Sequence, residues 1–361
     1  MACAALLATA LHATSACAEW DYRHGFGFSS GGNEVRLNVF VRPRYEYLSN
    51  AGSGSARSSF VLDLVGARLR IWTGYRRVYA EMAGGLAGTE GLLLDTFLQF
   101  DAGDHLAIRF GYFRVPFDEQ TTHAPFWLRM TDRSIAVRAL GYAYDVGLAL
   151  RGTFLDDGLV FGVSVTNGEP LDLENMNIDF LYSGRLAVSV GRLADWSDVD
   201  LVIGVGTSWN LEPWTPEEGV RVNRSVLAET LDLTLRLGPA TLALAGLYRY
   251  IDPGAYGDAT HVLGWHVESG LFMHDQIEVV VALAHLVPVE GNLEHTGGVS
   301  GLIAEPAVED QQLLEAAAGL NVFVHDNRIR LQLEYAYTAN FAGDTTAFEA
   351  HRVVAQAQAM Y

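Results

Sequence analysis

The segment LAIRFGYFRVPF, residues 106–117, contains a short alternating strand that stops at a proline. Its residues alternate between two faces. The apolar face contains Leu106, Ile108, Phe110 and Tyr112, and the mixed face contains Ala107, Arg109, Gly111 and Phe113. This alternation with a period of two is typical of a β-strand. Pro116 has no amide hydrogen to give to a strand ladder, so the segment predicts a strand that ends near residue 113.

A long connection follows this strand and has no sustained periodicity. Residues 114–140 contain several cationic and aromatic side chains, namely Arg114, Arg129, Arg133, Arg138, Phe117, Phe126 and Trp127. Connections of this length inside a β protein are usually either functional or disordered. The arginines and aromatic residues favour a loop that folds against the rest of the protein.

The same alternation recurs along most of the chain. We predict sixteen strands, at 34–47, 61–73, 76–82, 92–101, 105–113, 144–154, 159–167, 180–190, 201–211, 226–237, 240–251, 262–273, 276–286, 314–324, 328–337 and 348–361. No helical period competes over a comparable length. No linker or low-complexity tract divides residues 34–361, which we therefore interpret as one domain.

The connections between these strands are sorted by length. Those after even-numbered strands are tight, as at 73–75, 101–104, 155–158, 238–239 and 274–275, whereas those after odd-numbered strands are long. Short turns at one end and long loops at the other, around an even number of strands, are typical of a transmembrane β-barrel. The sequence thus predicts an all-β antiparallel barrel of about sixteen strands, with short periplasmic turns and long extracellular loops.

Both ends of the chain fit an exported protein of the bacterial outer membrane. Residues 1–18 have an apolar centre and small residues at Ala16 and Ala18, which predicts a signal peptide cleaved after Ala18 and followed by a short N-terminal segment at 19–33. Cys3 and Cys17 both lie in this signal, so no cysteine chemistry is expected in the exported chain. The last strand ends on Tyr361, which resembles the signal read by the outer-membrane assembly machinery.

The segment GYFRVPFDEQ, residues 111–120, resembles a motif of the phosphate-selective porin family of the O/P type. The motif positions are Gly111, Phe113, Pro116 and Phe117, and LDTFLQF (94–100), YDVGLALRG (144–152) and SGRLAVS (183–189) accompany them in order. The resemblance implies a sixteen-stranded, trimeric porin whose third loop, here 114–140, narrows the pore. In that family anion selectivity rests on inward arginines and a lysine cluster, but this chain contains no lysine.

Arginines are concentrated in the first half of the chain. Residues 1–192 contain 17 of the 24 arginines with 20 acidic residues, whereas residues 193–361 contain 7 arginines with 23 acidic residues. We predict an anion-binding constriction formed by Arg109, Arg114, Arg129, Arg133 and Arg138. Further arginines on the polar faces of strands are predicted to line the lumen, namely Arg36, Arg42, Arg44, Arg68, Arg70, Arg151 and Arg185. A guanidinium group keeps its charge and binds oxyanions through a planar fork.

The acidic residues leave the selectivity open. The formal net charge is −19, and inward acids such as Asp95, Asp232, Glu278, Glu315 and Glu334 could make a channel only weakly selective. The first hypothesis is an outer-membrane porin for passive diffusion of small anionic solutes such as phosphate, in contact with membrane lipid. The alternatives are a non-specific porin or a structural or receptor barrel.

A barrel enzyme is the least favoured hypothesis. The sequence has no Gly-x-Ser-x-Gly elbow and no metal-ligand spacing, so no catalytic residue, metal or cofactor is predicted, and no nucleic-acid partner. His261 and His266 are five residues apart and would point to opposite faces of a strand. Gly162, Gly204, Gly206 and Gly246 are interpreted as adaptations to barrel curvature.

Overall fold

The computed structural model describes most of the chain between Cys17 and Met360. The described residues are 17–21, 25–30, 33–50, 55–73, 78–87, 90–124, 127–142, 144–168, 179–196, 198–217, 220–290, 311–325, 329–342 and 345–360. Most of the predicted signal peptide, Phe126 and Tyr361 lie outside these residues.

Eighteen antiparallel strands form one sheet in the described part of the chain. They are β1 (Cys17–Asp21), β2 (Gly25–Ser30), β3 (Asn33–Asn50), β4 (Ser55–Thr73), β5 (Val78–Ala87), β6 (Glu90–Asp101), β7 (Leu106–Arg114), β8 (Tyr144–Phe154), β9 (Leu159–Thr166), β10 (Leu181–Ser189), β11 (Val199–Glu217), β12 (Val220–Leu237), β13 (Ala240–Asp252), β14 (Thr260–His274), β15 (Ile277–Glu290), β16 (Gln311–His325), β17 (Ile329–Ala342) and β18 (Thr345–Met360).

Sixteen of these strands, β3 to β18, form a closed ring. Each pairs with the next along the chain, and β18 pairs with β3, for example through Val353 opposite Tyr47. Closure leaves the ring without an open edge, so its backbone hydrogen bonds can be satisfied within lipid. The predicted all-β transmembrane barrel of about sixteen strands is confirmed, and the sixteen predicted strands correspond one by one to β3–β18.

The first two strands form a hairpin outside the closed ring. The β2 strand pairs with Asn33–Leu37 at the beginning of β3, whereas β18 pairs with the remainder of β3 from Phe40 onwards. The hairpin therefore covers the part of β3 that extends beyond the end of β18. The sequence reading of residues 19–33 as a short N-terminal segment did not include these strands.

Side chains alternate between the two faces of the wall. On β17, Leu331, Leu333 and Tyr335 are exposed on the outer face, whereas Arg330 and Glu334 are buried on the inner face. The outer face is therefore apolar, as contact with lipid requires, and the inner face is polar.

The two ends of the barrel differ in their connections. At the turn end, β8 and β9 are joined by 155–158, β12 and β13 by 238–239, and β14 and β15 by 275–276. At the opposite end, the loop end, the longest connections are 115–143, 167–180 and 291–310. Elsewhere at this end strands extend through the predicted loops, so that β11 continues to Glu217 and β12 begins at Val220.

Three short α-helices occur in the described part: α1 (Glu119–Thr122), α2 (Ile135–Leu140) and α3 (Val190–Leu193). Asp118 caps α1 and Ser134 caps α2, each by accepting a hydrogen bond from a backbone amide of the first turn. None of the described helices is both long and apolar enough to cross a membrane.

Candidate functional site: an inner loop beside an arginine-lined passage

The described residues of 115–142, here called the inner loop, fold into the barrel and pack against its wall. Val115, Phe117, Tyr142 and the apolar side chains of α2 are almost completely buried. Their partners on the wall come from β10 and from β12 to β16, namely Leu181, Ala228, Ala245, Leu247, Val262, Ala284, Leu286 and Leu313. Burial of this apolar surface holds the inner loop to one side of the lumen.

Glycines on the wall provide the space for this close approach. A Cβ atom at Gly206 would overlap the carbonyl oxygen of Phe117, and one at Gly264 would lie 2.9 Å from Leu140. At Gly162 a Cβ atom would lie 3.0 Å from Pro116. Gly162 and Gly206 were interpreted from sequence as curvature glycines, but their backbones contact the inner loop. Gly246 has no atom within 4 Å of its Cβ position.

A pair of arginines holds the distal part of the inner loop. Asp132 receives two hydrogen bonds from Arg44 on β3, at 3.1 and 2.8 Å, and it also pairs with Arg352 on β18. Although burial alone would raise it, Arg352 and Arg44 hold the pKa of Asp132 well below its usual range. Arg352 also bonds Glu334, whose carboxylate accepts the backbone amide of Thr131 at 2.7 Å.

The helix α2 is held at its first turn by a carboxylate of the wall. Glu315 on β16 accepts the backbone amide of Ile135 at 3.1 Å and a guanidinium hydrogen of Arg138 at 2.9 Å. A negative charge at this position complements the unsatisfied amides of a helix N-terminus. At the other end of α2, the carbonyl of Ala139 accepts a hydrogen bond of 3.4 Å from Arg249.

The middle of the inner loop is bonded to β15, β16 and β17. Arg129 pairs with Glu278 at 3.1 Å, and its carbonyl accepts hydrogen bonds from Asn321 at 3.0 Å and Gln332 at 3.1 Å. Arg330 donates to the carbonyl of Leu128 at 2.8 Å. These contacts satisfy backbone carbonyl groups of the loop.

The beginning of the inner loop is fixed by Arg185 on β10. Its guanidinium pairs with Asp232 on β12 and with Glu119 of α1, the latter at 3.0 Å, and donates to the carbonyl of Phe117 at 3.4 Å. Arg133 lies within the loop and donates to the carbonyls of Gln120 and His123, both at 3.1 Å. Burial lowers the pKa of Arg133, and it raises the pKa of Asp118, which is almost completely buried.

The opposite side of the lumen contains a cavity with a different lining. This cavity, here called the arginine passage, has a volume of about 430 Å³ and lies along β4, β6, β7 and β8 beside the start of the inner loop. It is lined by Arg68, Arg70, Trp72, Asp95, Phe97, Gln99, Asp101, Arg109, Arg114 and Arg151. Five guanidinium groups thus face two carboxylates among the described residues of the lining.

Two arginines of the passage, Arg109 and Arg114, are held in place by neighbouring groups. Arg109 lies over the ring of Phe97 at 3.6 Å and donates to Gln99 at 2.8 Å. Arg114 pairs with Asp95 at 2.6 Å and donates to the carbonyl of Thr122 at 2.9 Å, which joins the passage to the inner loop. These contacts fix the positions of both guanidinium groups.

Arg151 lies where three cavities meet. It lines the arginine passage, a cavity of about 610 Å³ at the turn end, and a cavity of about 320 Å³ below α1. Within the described part of the chain, no carboxylate lies within ion-pair distance of its guanidinium group. Arg151 therefore presents its charge to the open lumen.

Most of the predicted arginines separate into two groups. The arginine passage brings together Arg68, Arg70, Arg109, Arg114 and Arg151. Arg44, Arg129, Arg133, Arg138 and Arg185 hold the inner loop instead. Arg36 pairs with Glu34 on its own strand, and Arg42 is buried on β3.

The motif residues have structural roles around the start of the inner loop. Gly111 has a φ of 133°, a conformation that favours glycine, and a Cβ atom there would overlap the backbone of β6. Phe113 packs with Phe97 and Ala149. Phe117 makes an edge-on ring contact with Tyr142 at 5.5 Å.

Sequence reasoning did not single out three arginines of the second half. Arg249, Arg330 and Arg352 all bond the inner loop. Each lies on the polar face of an alternating strand, which was a usable signal. Their role could not be read from that signal because their partners lie more than a hundred residues away.

Two of the described histidines lie on the outer face of the barrel. No group of three or more His, Cys, Asp or Glu side chains in the described residues could hold a metal ion. His261 bonds Tyr248 at 2.6 Å and His351 bonds Tyr335 at 2.7 Å, in both cases on the outer face of the barrel. Lipid-facing histidines cannot meet a solute in the lumen.

The barrel resembles solved outer-membrane proteins in structure but not in sequence. No protein-family model matches the chain, and no curated protein matches it in sequence. An anion-selective porin from Comamonas acidovorans aligns over 91% of this chain and all of its own, with a TM-score of 0.65 and 12% identity. The outer membrane channel DcaP of Acinetobacter baumannii aligns over 94% of this chain and all of its own, with a TM-score of 0.63 and 12% identity.

A third solved structure gives the same result. A loop-deletion mutant of OmpT, an outer membrane protein of Vibrio cholerae, aligns over 91% of this chain and all of its own, with a TM-score of 0.65 and 11% identity. At sequence identities this low, the structural similarity shows a shared fold alone. The chain therefore has the fold of outer-membrane β-barrels.

Proposed function

We propose that the protein is an outer-membrane porin that conducts small anions by passive diffusion through the arginine passage. The observation that carries this proposal is the charge of the passage, in which five arginines face Asp95 and Asp101 among the described residues of the lining. Glu81 lies opposite Arg70 in the strand register, so even with this acid included the arginines remain in excess. A row of fixed positive charges lowers the barrier for an anion without holding it at one site.

The inner loop determines which side of the lumen is open to a solute. It occupies the side of the lumen formed by β10 and β12–β18, where its own charges are paired with wall residues. A solute is thereby directed to the opposite side, along the arginines. The overall charge of −19 does not contradict anion conduction, because a permeating ion responds mainly to charges within about 10 Å at 0.1 M salt.

The test is the reversal potential of the purified protein in a planar lipid bilayer with a tenfold gradient of KCl centred near 0.1 M. We expect a sign that indicates anion preference, and a shift toward cations for Arg109→Gln and for Arg151→Gln. Arg57→Gln is the matched control, because Arg57 is exposed on β4 nearer the loop end. A cation-selective wild type, or variants with the wild-type reversal potential, would instead identify a non-specific porin.

The alternatives have their own signatures in this experiment. A protein that inserts but does not conduct would be a structural or receptor barrel. Export by the predicted signal peptide, trimer formation and recognition of Tyr361 by the assembly machinery belong to the same proposal, and cell fractionation tests the outer-membrane location.

A further inference from the structure

One aromatic side chain of the arginine passage is not explained by ion conduction. Trp72 lies on the same face of β4 as Arg68 and Arg70, lines the passage near the end of the strand, and is 41% exposed. Exposed tryptophans are expected on the outer face, where they contact lipid. An aromatic ring that faces water inside a channel is a surface on which another flat ring can stack.

The surroundings of Trp72 combine flat and cationic groups. Trp72, Gln99, Asp101, Arg109 and Arg151 line both the arginine passage and the larger cavity at the turn end, so the two spaces meet at these residues. Phe161 also lines the larger cavity, as does Asp104. An anion that entered here would have an aromatic surface and two guanidinium groups within one space.

The volume and charge of this space limit the kind of occupant. The two cavities measure about 430 and 610 Å³, which is within the range of pockets that hold small organic molecules. The guanidinium of Arg109 already stacks on Phe97, and that of Arg151 has no ion-pair partner among the described residues. Guanidinium groups bind carboxylates through a planar fork, and they also stack on aromatic rings.

We infer that Trp72, Arg109 and Arg151 form a binding subsite for aromatic carboxylates at the turn end of the arginine passage. The inference rests on the proposed anion-conducting function and names the solute class that the passage favours. The ring of the solute stacks on Trp72, and its carboxylate interacts with Arg109 and Arg151. Chloride and small aliphatic carboxylates use the same charges without the ring contact.

The experiment compares two probes that differ in one property. Benzoate and cyclohexanecarboxylate have the same charge and similar size, but only benzoate is planar and aromatic. Each is added to single channels in a planar bilayer, and the concentration that halves the chloride current is measured. We expect benzoate to act at a concentration about two- to tenfold lower, since an aromatic pair contributes about 0.5–1.5 kcal/mol beyond its buried area.

Variants at Trp72 identify the contact. Trp72→Leu should make the two probes equally effective, whereas Trp72→Phe should preserve most of the preference for benzoate. Trp265→Leu is the control, because Trp265 lies on the outer face of β14 and is 37% exposed there. Equal effects of both probes on the wild type, or an unchanged preference in Trp72→Leu, would overturn the subsite.

The measurements distinguish a failure of the subsite from a failure of the proposed porin function. The reversal potential of the wild type in KCl measures anion preference without any aromatic solute, and Trp265→Leu on the outer face should leave it unchanged. An anion-selective wild type that does not distinguish the probes would overturn only the subsite. A wild type without anion preference would overturn the proposed function.

Discussion

Arg44 on β3 and Asp132 on the inner loop form a two-pronged ion pair, with Nη1–Oδ1 at 3.1 Å and Nη2–Oδ2 at 2.8 Å. These residues are 88 positions apart in the chain. The pair joins the distal part of the inner loop to the strand that closes the barrel with β18. Paired charges of this geometry are directional, so they fix the position of the loop as well as contributing to its stability.

Loss of this ion pair should loosen the inner loop. In Asp132→Asn, Arg44 and Arg352 lose a shared carboxylate in a largely buried setting, and we expect a local cost of about 1–4 kcal/mol. Single-channel recordings should show more current noise and more frequent changes between conductance levels. Asp275→Asn, in an exposed turn between β14 and β15, is the matched control. A variant with the same current noise as the wild type would show that the apolar contacts of α2 alone fix the position of the loop.

The buried carboxyl of Asp118 should make stability depend on pH. Burial raises its pKa, so its contribution favours the folded protein at low pH and is lost as the pH rises through the folded-state value. Asp118→Asn removes the ionised form and keeps a residue that can cap α1. We therefore expect the variant to raise the thermal unfolding midpoint in detergent at pH 7.5 more than at pH 4.5. The same change at both pH values would indicate that only the capping hydrogen bond matters.

The close approach of the inner loop to the wall should be sensitive to a single methyl group. In Gly206→Ala, the new Cβ atom would overlap the backbone oxygen of Phe117, which cannot move aside like a flexible side chain. We expect a change in single-channel conductance of at least several tens of per cent and a lower unfolding midpoint, with a cost of about 1–3 kcal/mol.

Gly246→Ala is the control for that experiment. It makes the same chemical change in a strand of the same barrel, but its Cβ position has no neighbour within 4 Å. Equal effects of the two variants would mean that strand propensity, rather than contact with the inner loop, determines the outcome.

A trimer is a further expectation of the proposed function. The expectation rests on the resemblance of residues 111–120 to the motif of phosphate-selective porins. We expect a species of three chains in mild detergent that becomes a monomer on heating, as measured by light scattering and by gel mobility. A monomer in every mild detergent would exclude a stable trimer and leave the barrel fold unaffected.

The strands were predictable because their information is local. On β7 and β17, alternation of apolar and polar side chains follows directly from the period of a strand, and lipid outside with water inside makes the alternation strong. Strand ends were less predictable: residues 212–217 were read as loop but continue β11, because hairpin pairing with β12 can extend beyond the apolar belt. The hairpin of β1 and β2 was also missed.

The sequence by itself determined a transmembrane barrel, a long interruption after Pro116 and a set of arginines on inward faces. Only the tertiary structure decided that Arg68, Arg70, Arg109, Arg114 and Arg151 share one cavity, whereas Arg44, Arg138 and Arg185 hold the inner loop. The physical reason is that an arginine on a strand has the same local pattern whether it faces water or a carboxylate. Its role depends on which residue lies opposite across the lumen, and that residue is fixed by barrel closure and by the path of the inner loop.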